Sequence, residues 1–210
     1  MTFFKTLATF LAVSFLMTSV QAQVGNNDNV LNPNTAEADQ LRGVAHIDAA
    51  IVNAIMDQRP LADALELDAL LSDSLNEGLR AEAYANLFIP LNLNTASGIE
   101  ILLIPGMNNR MAHEFDEYRP YTSLVQFRRE IGKYVDEDEV ARLEQYVFVP
   151  LDLNSATRED FANIPGASNR MVREFLEYQP YQSMEEFRRE IGKYVDDAEV
   201  ARFERYMTIR

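Results

Sequence analysis

A block of sequence returns every sixty positions. LNPNTA begins at Leu31, LNLNTA at Leu91 and LDLNSA at Leu151, while FRREIGKYVD occurs unbroken at 127–136 and 187–196. Such a period marks a chain built from repeated supersecondary units, and it constrains the fold more than any composition does. The first copy has diverged. Its register still holds, because DQRP at 57–60 falls where EYRP (117–120) and EYQP (177–180) fall. The repeat divides the chain into modules at 31–90, 91–150 and 151–210. Each is near the lower size for an independent fold, so stacking of neighbours or a short shared linker is expected.

Within a module the pattern reads as all-helical. In the second copy Asn94 and Thr95 are candidate N-caps, with Ile99, Leu102 and Leu103 following at helical spacing. Pro105-Gly106 ends that helix, and Asn108 or Asn109 caps the next, whose inner face is Met111, Phe115 and Tyr118. Pro120 stops it. A third helix runs from about Ser123, with Leu124, Phe127 and Ile131 inward, and ends at Gly132. A fourth starts at Asp136 and carries Val140, Leu143 and Val147, after which Val147 to Leu151 is extended and leads into the next module. The expected architecture is three tandem modules, each of two helical hairpins.

The first 22 residues stand apart. Lys5 precedes an apolar run from Leu7 to Met17, and Val20-Gln21-Ala22 ends in small residues where a signal peptidase cuts. This reads as a secretory signal peptide, followed by a polar linker at 23–30, and it implies an exported, periplasmic or secreted protein. No later segment is apolar for long enough to cross a bilayer. With no cysteine, the chain can form no disulfide and no thiolate metal site. It must rest on its core, which 47% apolar residues allow. Beyond Ala22 the chain carries 18 basic and 33 acidic side chains, a net charge of −15. That charge repels polyanions at long range.

The residues LNLNTA, IPGMNNRMA and EYRP (Leu91 to Pro120), with LDLNSA, IPGASNRMV and EYQP in the next copy, resemble the tandem helix-hairpin-helix domain of the ComEA type. PYTSLVQF and PYQSMEEF, each leading to a glycine, are also similar to the PsbU-type extrinsic subunit of photosystem II. The resemblance covers residues 31–210. It implies a helix-hairpin-helix fold and two different kinds of ligand. ComEA-like proteins are exported DNA receptors, whereas PsbU-like proteins bind protein.

A DNA-binding hairpin of this kind uses two glycines around one apolar residue, so that bare backbone amides at a helix N-terminus meet a phosphate. A basic residue just beyond adds charge, and binding is salt-sensitive and blind to sequence. Gly106 and Gly166 keep the first glycine, and Arg110 and Arg170 the basic residue. Asn108 and Ser168 replace the second glycine, and both types cap helices with the side chain. The first module has His46 and Ala50 in place of the glycine and arginine, with 3 basic against 10 acidic residues. In the second hairpins Asp136 with Glu139, and Asp196 with Glu199, read as capping boxes that fill their own anion site. The remaining cations are Arg128, Arg129, Lys133, Arg188, Arg189 and Lys193, which read either as a solvated face paired with Glu130 and Glu190 or as a lateral phosphate track.

Enzyme chemistry finds little support, and no cofactor is implied. HEFDE at 113–117 lacks the second histidine of a zinc helix, and DEDE at 136–139 lacks the alternating ligands and glycine of a calcium loop. Tyr118, Tyr121, Tyr134 and Tyr146 recur as Tyr178, Tyr181, Tyr194 and Tyr206. They suit core packing, base stacking or anchoring of a protein partner. Acidity, the missing second glycines and the acid-capped second hairpins favour a non-enzymatic scaffold acting through protein contacts in the cell envelope. A ComEA-like DNA receptor using Gly106/Arg110 and Gly166/Arg170 is the alternative.

Overall fold

The computed structural model describes residues 29–210. The signal peptide expected at 1–22, and the linker expected at 23–30 except its last two residues, lie outside the described residues. Those two belong to the folded body: Val30 is buried, and the Asn29 carbonyl accepts from Asn86 Nδ2 at 3.3 Å.

The described residues are all-α apart from four two-residue strands. Residues 31–90 hold α1 (Ala38–Arg42), α2 (Ala49–Gln58), α3 (Ala64–Ser72) and α4 (Glu77–Tyr84). Residues 91–150 hold β1 (Leu91–Asn92), α5 (Gly98–Leu102), α6 (Asn109–Glu117), α7 (Leu124–Ile131), α8 (Glu137–Glu144) and β2 (Val147–Phe148). Residues 151–210 hold β3 (Leu151–Asp152), α9 (Arg158–Ala162), α10 (Asn169–Glu177), α11 (Met184–Ile191), α12 (Asp197–Glu204) and β4 (Met207–Thr208). We refer to these three stretches as segments 1, 2 and 3.

Polar caps set the helix starts. Asn108, Ser123 and Asp136 accept from the amides of Met111, Gln126 and Glu139, and Gly132 closes α7. Asn94 and Thr95 are not caps. Helix α5 starts later, with Ser97 as N-cap in a capping box with Glu100. Its buried residue is Ile101, whereas Ile99 and Leu102 are 67% and 41% exposed. The three-residue delay in the start turns a different stripe inward.

Asn94 does something else. Its side chain pairs with the backbone of Tyr121, donating to the carbonyl at 2.9 Å and accepting from the amide at 2.6 Å. Asn34 holds Leu61 in the same way, and Asn154 holds Tyr181. The residue just before each cis-proline reaches back. Arg59 donates to the Ala36 carbonyl, Arg119 to those of Leu93 and Ala96, and Gln179 to those of Leu153 and Ala156. The L-x-x-N block is thus a cassette that ties the start of each segment to its middle.

The end of each segment is tied back too. The extended stretch from Val147 to Leu151 is present, and it also pairs. Leu91 lies in parallel register with Val147, Leu151 with Met207, and Leu31 with Leu87. Each sixty residues therefore closes on itself.

Aromatic residues join the segments. Phe88 meets Tyr146 edge-on at 5.2 Å between ring centroids, and sixty residues on Phe148 meets Tyr206 at 4.5 Å. Segments 1 and 2 share one apolar core, while Phe148 enters the core of segment 3. Segment 3 also touches segment 1. Arg205 Nη2 donates to the Pro90 carbonyl at 3.2 Å, and Thr35 lies close against Gly166. Among the described residues no helix is long and apolar enough to cross a membrane.

Candidate functional site

The two turns between the first helices of segments 2 and 3 are built alike. Gly106 and Gly166 take φ of 77° and 75°, a left-handed conformation that glycine adopts freely. Segment 1 makes the same turn with a side chain present, His46 at φ 66°. Two of the five amides that follow each glycine are occupied. Met107 N bonds the Ile104 carbonyl at 3.0 Å, and Met111 N bonds Asn108 Oδ1 at 3.0 Å. In segment 3 Ala167 N bonds Ile164 O at 3.0 Å and Met171 N bonds Ser168 Oγ at 3.2 Å. The side chains of Asn108 and Ser168 thus each cap one amide at the start of the following helix, an amide that would otherwise be open to an anion.

A residue from the fourth helix lies over each turn. In segment 2 it is Arg142, whose Nη2 stands 3.6 Å from where a Cβ on Gly106 would be. In segment 3 it is Arg202, which is buried and donates from Nη1 to the Pro165 carbonyl. A Cβ on Gly166 would stand 2.8 Å from Arg202 Nη2 and 3.1 Å from Thr35 of segment 1. Each guanidinium is already held in two places by a carboxylate, Arg142 by Glu139 at 2.7 and 2.6 Å and Arg202 by Glu199 at 2.6 Å twice. Segment 1 reverses the charge, with Glu82 at this position bonding His46 Nε2 at 2.7 Å. Arg142 and Arg202 are not among the cations that the turn and basic-face patterns single out in the sequence. Their signal is the repeated EVAR at 139–142 and 199–202.

The second turns carry only half of the expected capping boxes. Asp136 Oδ1 accepts from Glu139 N at 2.9 Å and Asp196 Oδ1 from Glu199 N at 2.9 Å. The carboxylates of Glu139 and Glu199 turn to the arginines instead, since a forked charged pair outweighs a bond to a neutral amide. Arg142 holds the Glu139 carboxyl below its ordinary range.

The secondary basic face is paired throughout. Arg128 grips Glu144 at 2.6 and 2.5 Å, and Arg188 grips Glu204 at 2.7 and 2.5 Å, each tying the third helix to the fourth. Arg129 and Lys133 share Glu130, and Arg189 and Lys193 share Glu190. Those hydrogen bonds, from Lys133 and then Arg129, hold Glu130 below the usual carboxylate range; Lys193 and then Arg189 do so for Glu190.

Arg110 and Arg170 are placed differently. Both are exposed, and neither has a carboxylate partner among the described residues. Arg110 lies 5.9 Å from the ring centroid of Tyr134, and Arg170 lies 5.3 Å from that of Tyr194. The Tyr134 hydroxyl is 2.8 Å from that of Tyr118, whose ring carries Lys133 Nζ at 4.7 Å. Segment 3 repeats this with Tyr194, Tyr178 and Lys193, at 2.9 Å and 5.2 Å. Hydrogen bonds to Tyr118 and then to Glu114 push Tyr134 well above its ordinary pKa. Glu114 is buried, and its Oε2 has no hydrogen-bond partner. The repeated tyrosines thus divide by role. Tyr121, Tyr146, Tyr181 and Tyr206 are buried, whereas Tyr118, Tyr134, Tyr178 and Tyr194 form two half-buried patches with the free arginines.

His113 is a surface residue 3.8 Å from Glu117. Among the described residues no group of three or more His, Asp or Glu is placed to hold a metal ion. Comparison with known proteins adds no relative: no family model, no curated protein and no solved structure matches this chain.

Proposed function

We propose that this chain is an exported, non-enzymatic helix-hairpin-helix scaffold of the cell envelope, acting through protein–protein contacts. The observation that carries this reading is the patch of Arg110, Tyr118, Lys133 and Tyr134, presented again as Arg170, Tyr178, Lys193 and Tyr194. Half-buried tyrosine beside exposed arginine is the combination that anchors protein partners. The likeness to ComEA- and PsbU-type domains supports the hairpin assignment through the turn glycines, and the PsbU type supplies the precedent for a protein ligand. The capped amides at Met111 and Met171 and the carboxylate-paired basic face weigh against a phosphate ligand.

One observation favours the ComEA-like alternative. Arg110 and Arg170 stand just after the turn glycines with no carboxylate to neutralise them, as a non-specific phosphate contact requires. Titration with duplex DNA at low salt separates the two readings, using the chain from Gln23 beside an Arg110→Glu, Arg170→Glu double variant. The scaffold reading expects no salt-sensitive binding by either protein. Micromolar binding that weakens steeply with salt and disappears in the double variant would establish the DNA reading instead.

A further inference from the structure

We propose that the cleft where the three segments meet binds a small zwitterion, an amine-bearing carboxylate of amino-acid size. The cleft holds about 560 Å3, within the range of small-ligand sites, which favour junctions between packed units. Segment 1 lines it with Asp63 and Glu66, segment 2 with Glu100, and segment 3 with Arg202 and Arg205 from the α12 side. It is separate from the tyrosine–arginine patches, so it stands whichever ligand those take.

The charges in the cleft do not balance on their own. Arg202 is held by Glu199, which leaves Arg205 as the lining cation without a carboxylate partner among the described residues. Arg205 Nη2 donates to the Pro90 carbonyl, but Nη1 is cut off from solvent with no acceptor. Arg205 therefore lines the cleft with its charge unneutralised, and a bound carboxylate at the accessible part of the side chain supplies the partner. On the other walls Glu66 Oε2 accepts from Ala62 N and Glu100 Oε2 from Ser97 N, so each of these carboxylates has an oxygen not used in those bonds. Three carboxylates against one uncommitted guanidinium would repel a phosphate or a simple anion. A ligand with an ammonium group beside its carboxylate satisfies both sides.

Isothermal titration of the chain from Gln23 with L-lysine, hexanoate and cadaverine tests this, since hexanoate lacks both amines of L-lysine and cadaverine lacks its carboxylate. L-lysine should bind one saturable site, and the other two roughly tenfold more weakly or not at all. Arg205→Met should weaken L-lysine binding by roughly tenfold. Because Arg205 also holds Pro90, a second variant is needed that leaves segment packing intact. Glu100→Gln keeps the Ser97 capping box and should weaken L-lysine while leaving any hexanoate binding unchanged. Absence of L-lysine binding into the millimolar range overturns the proposal. So does binding that neither substitution weakens, or hexanoate binding as tight as that of L-lysine.

Discussion

At the scale of single residues, three turns of one shape have three surroundings. Gly106 and Gly166 share a left-handed φ, yet ordinary contact distance separates Gly106 from Arg142, while Arg202 and Thr35 crowd Gly166. Gly106→Ala should cost about 1 kcal/mol, the penalty of a Cβ in that conformation. Gly166→Ala should cost about 2 kcal/mol or more, because the added methyl must also displace a buried guanidinium and a residue of segment 1. Urea unfolding of the two variants side by side checks this, and equal losses would argue against the packing of segment 3 on segment 1. The turn glycines were legible in the sequence from Pro-Gly and from the sixty-residue register. What lies over them was not, since Arg202 reaches Pro165 across 37 positions and Thr35 comes from another segment.

At the scale of elements, local signals and distant ones part company. Ser123, Gly132 and Asp136 were legible as helix ends because a cap acts on an amide or carbonyl a few residues away. Asn94 looked like a cap for the same reason. Its partner Tyr121 is 27 residues off, and only the folded chain brings the two together. The basic face shows the same contrast, for Glu130 could be named as a partner from its neighbourhood while the Arg128–Glu144 pair joins two helices. These pairs set a pH dependence. Glu130, Glu139 and Glu190 are held below the ordinary glutamate value of 4.5. A carboxylate depressed in the folded state adds stability above its unfolded pKa and surrenders it as pH falls through the folded one. Stability against urea should therefore change little from neutral pH down to about pH 5 through these groups, and decline below about pH 4.5. Glu130→Gln with Glu190→Gln should make that decline shallower, and an unchanged slope would show that the pairs contribute nothing.

At the scale of the whole molecule, the segments stack by an aromatic step used twice, Phe88 on Tyr146 and Phe148 on Tyr206. The sixty-residue register places Asn86 where those tyrosines stand and Thr208 where those phenylalanines stand, so segment 1 lacks the tyrosine of the step and segment 3 its phenylalanine. Asn86→Tyr with Thr208→Phe should add the missing halves of the step to segments 1 and 3 and produce concentration-dependent association, read by light scattering; a strictly monomeric double variant would show that the aromatic step alone does not drive stacking. The sixty-residue register is legible in the sequence, but the return of segment 3 onto segment 1, and the cleft this creates, follow from packing geometry that the register does not encode. The functional reading rests on a side chain having capped one amide in each turn, at Met111 and at Met171, that a phosphate would need. Comparing duplex-DNA binding at low salt by the wild-type chain and by Asn108→Gly tests this most directly, because the substitution introduces a second turn glycine and frees the Met111 amide. The account predicts no measurable binding by the wild type and weak, salt-sensitive binding by the variant. Tight binding by the wild type that Asn108→Gly leaves unchanged would contradict it.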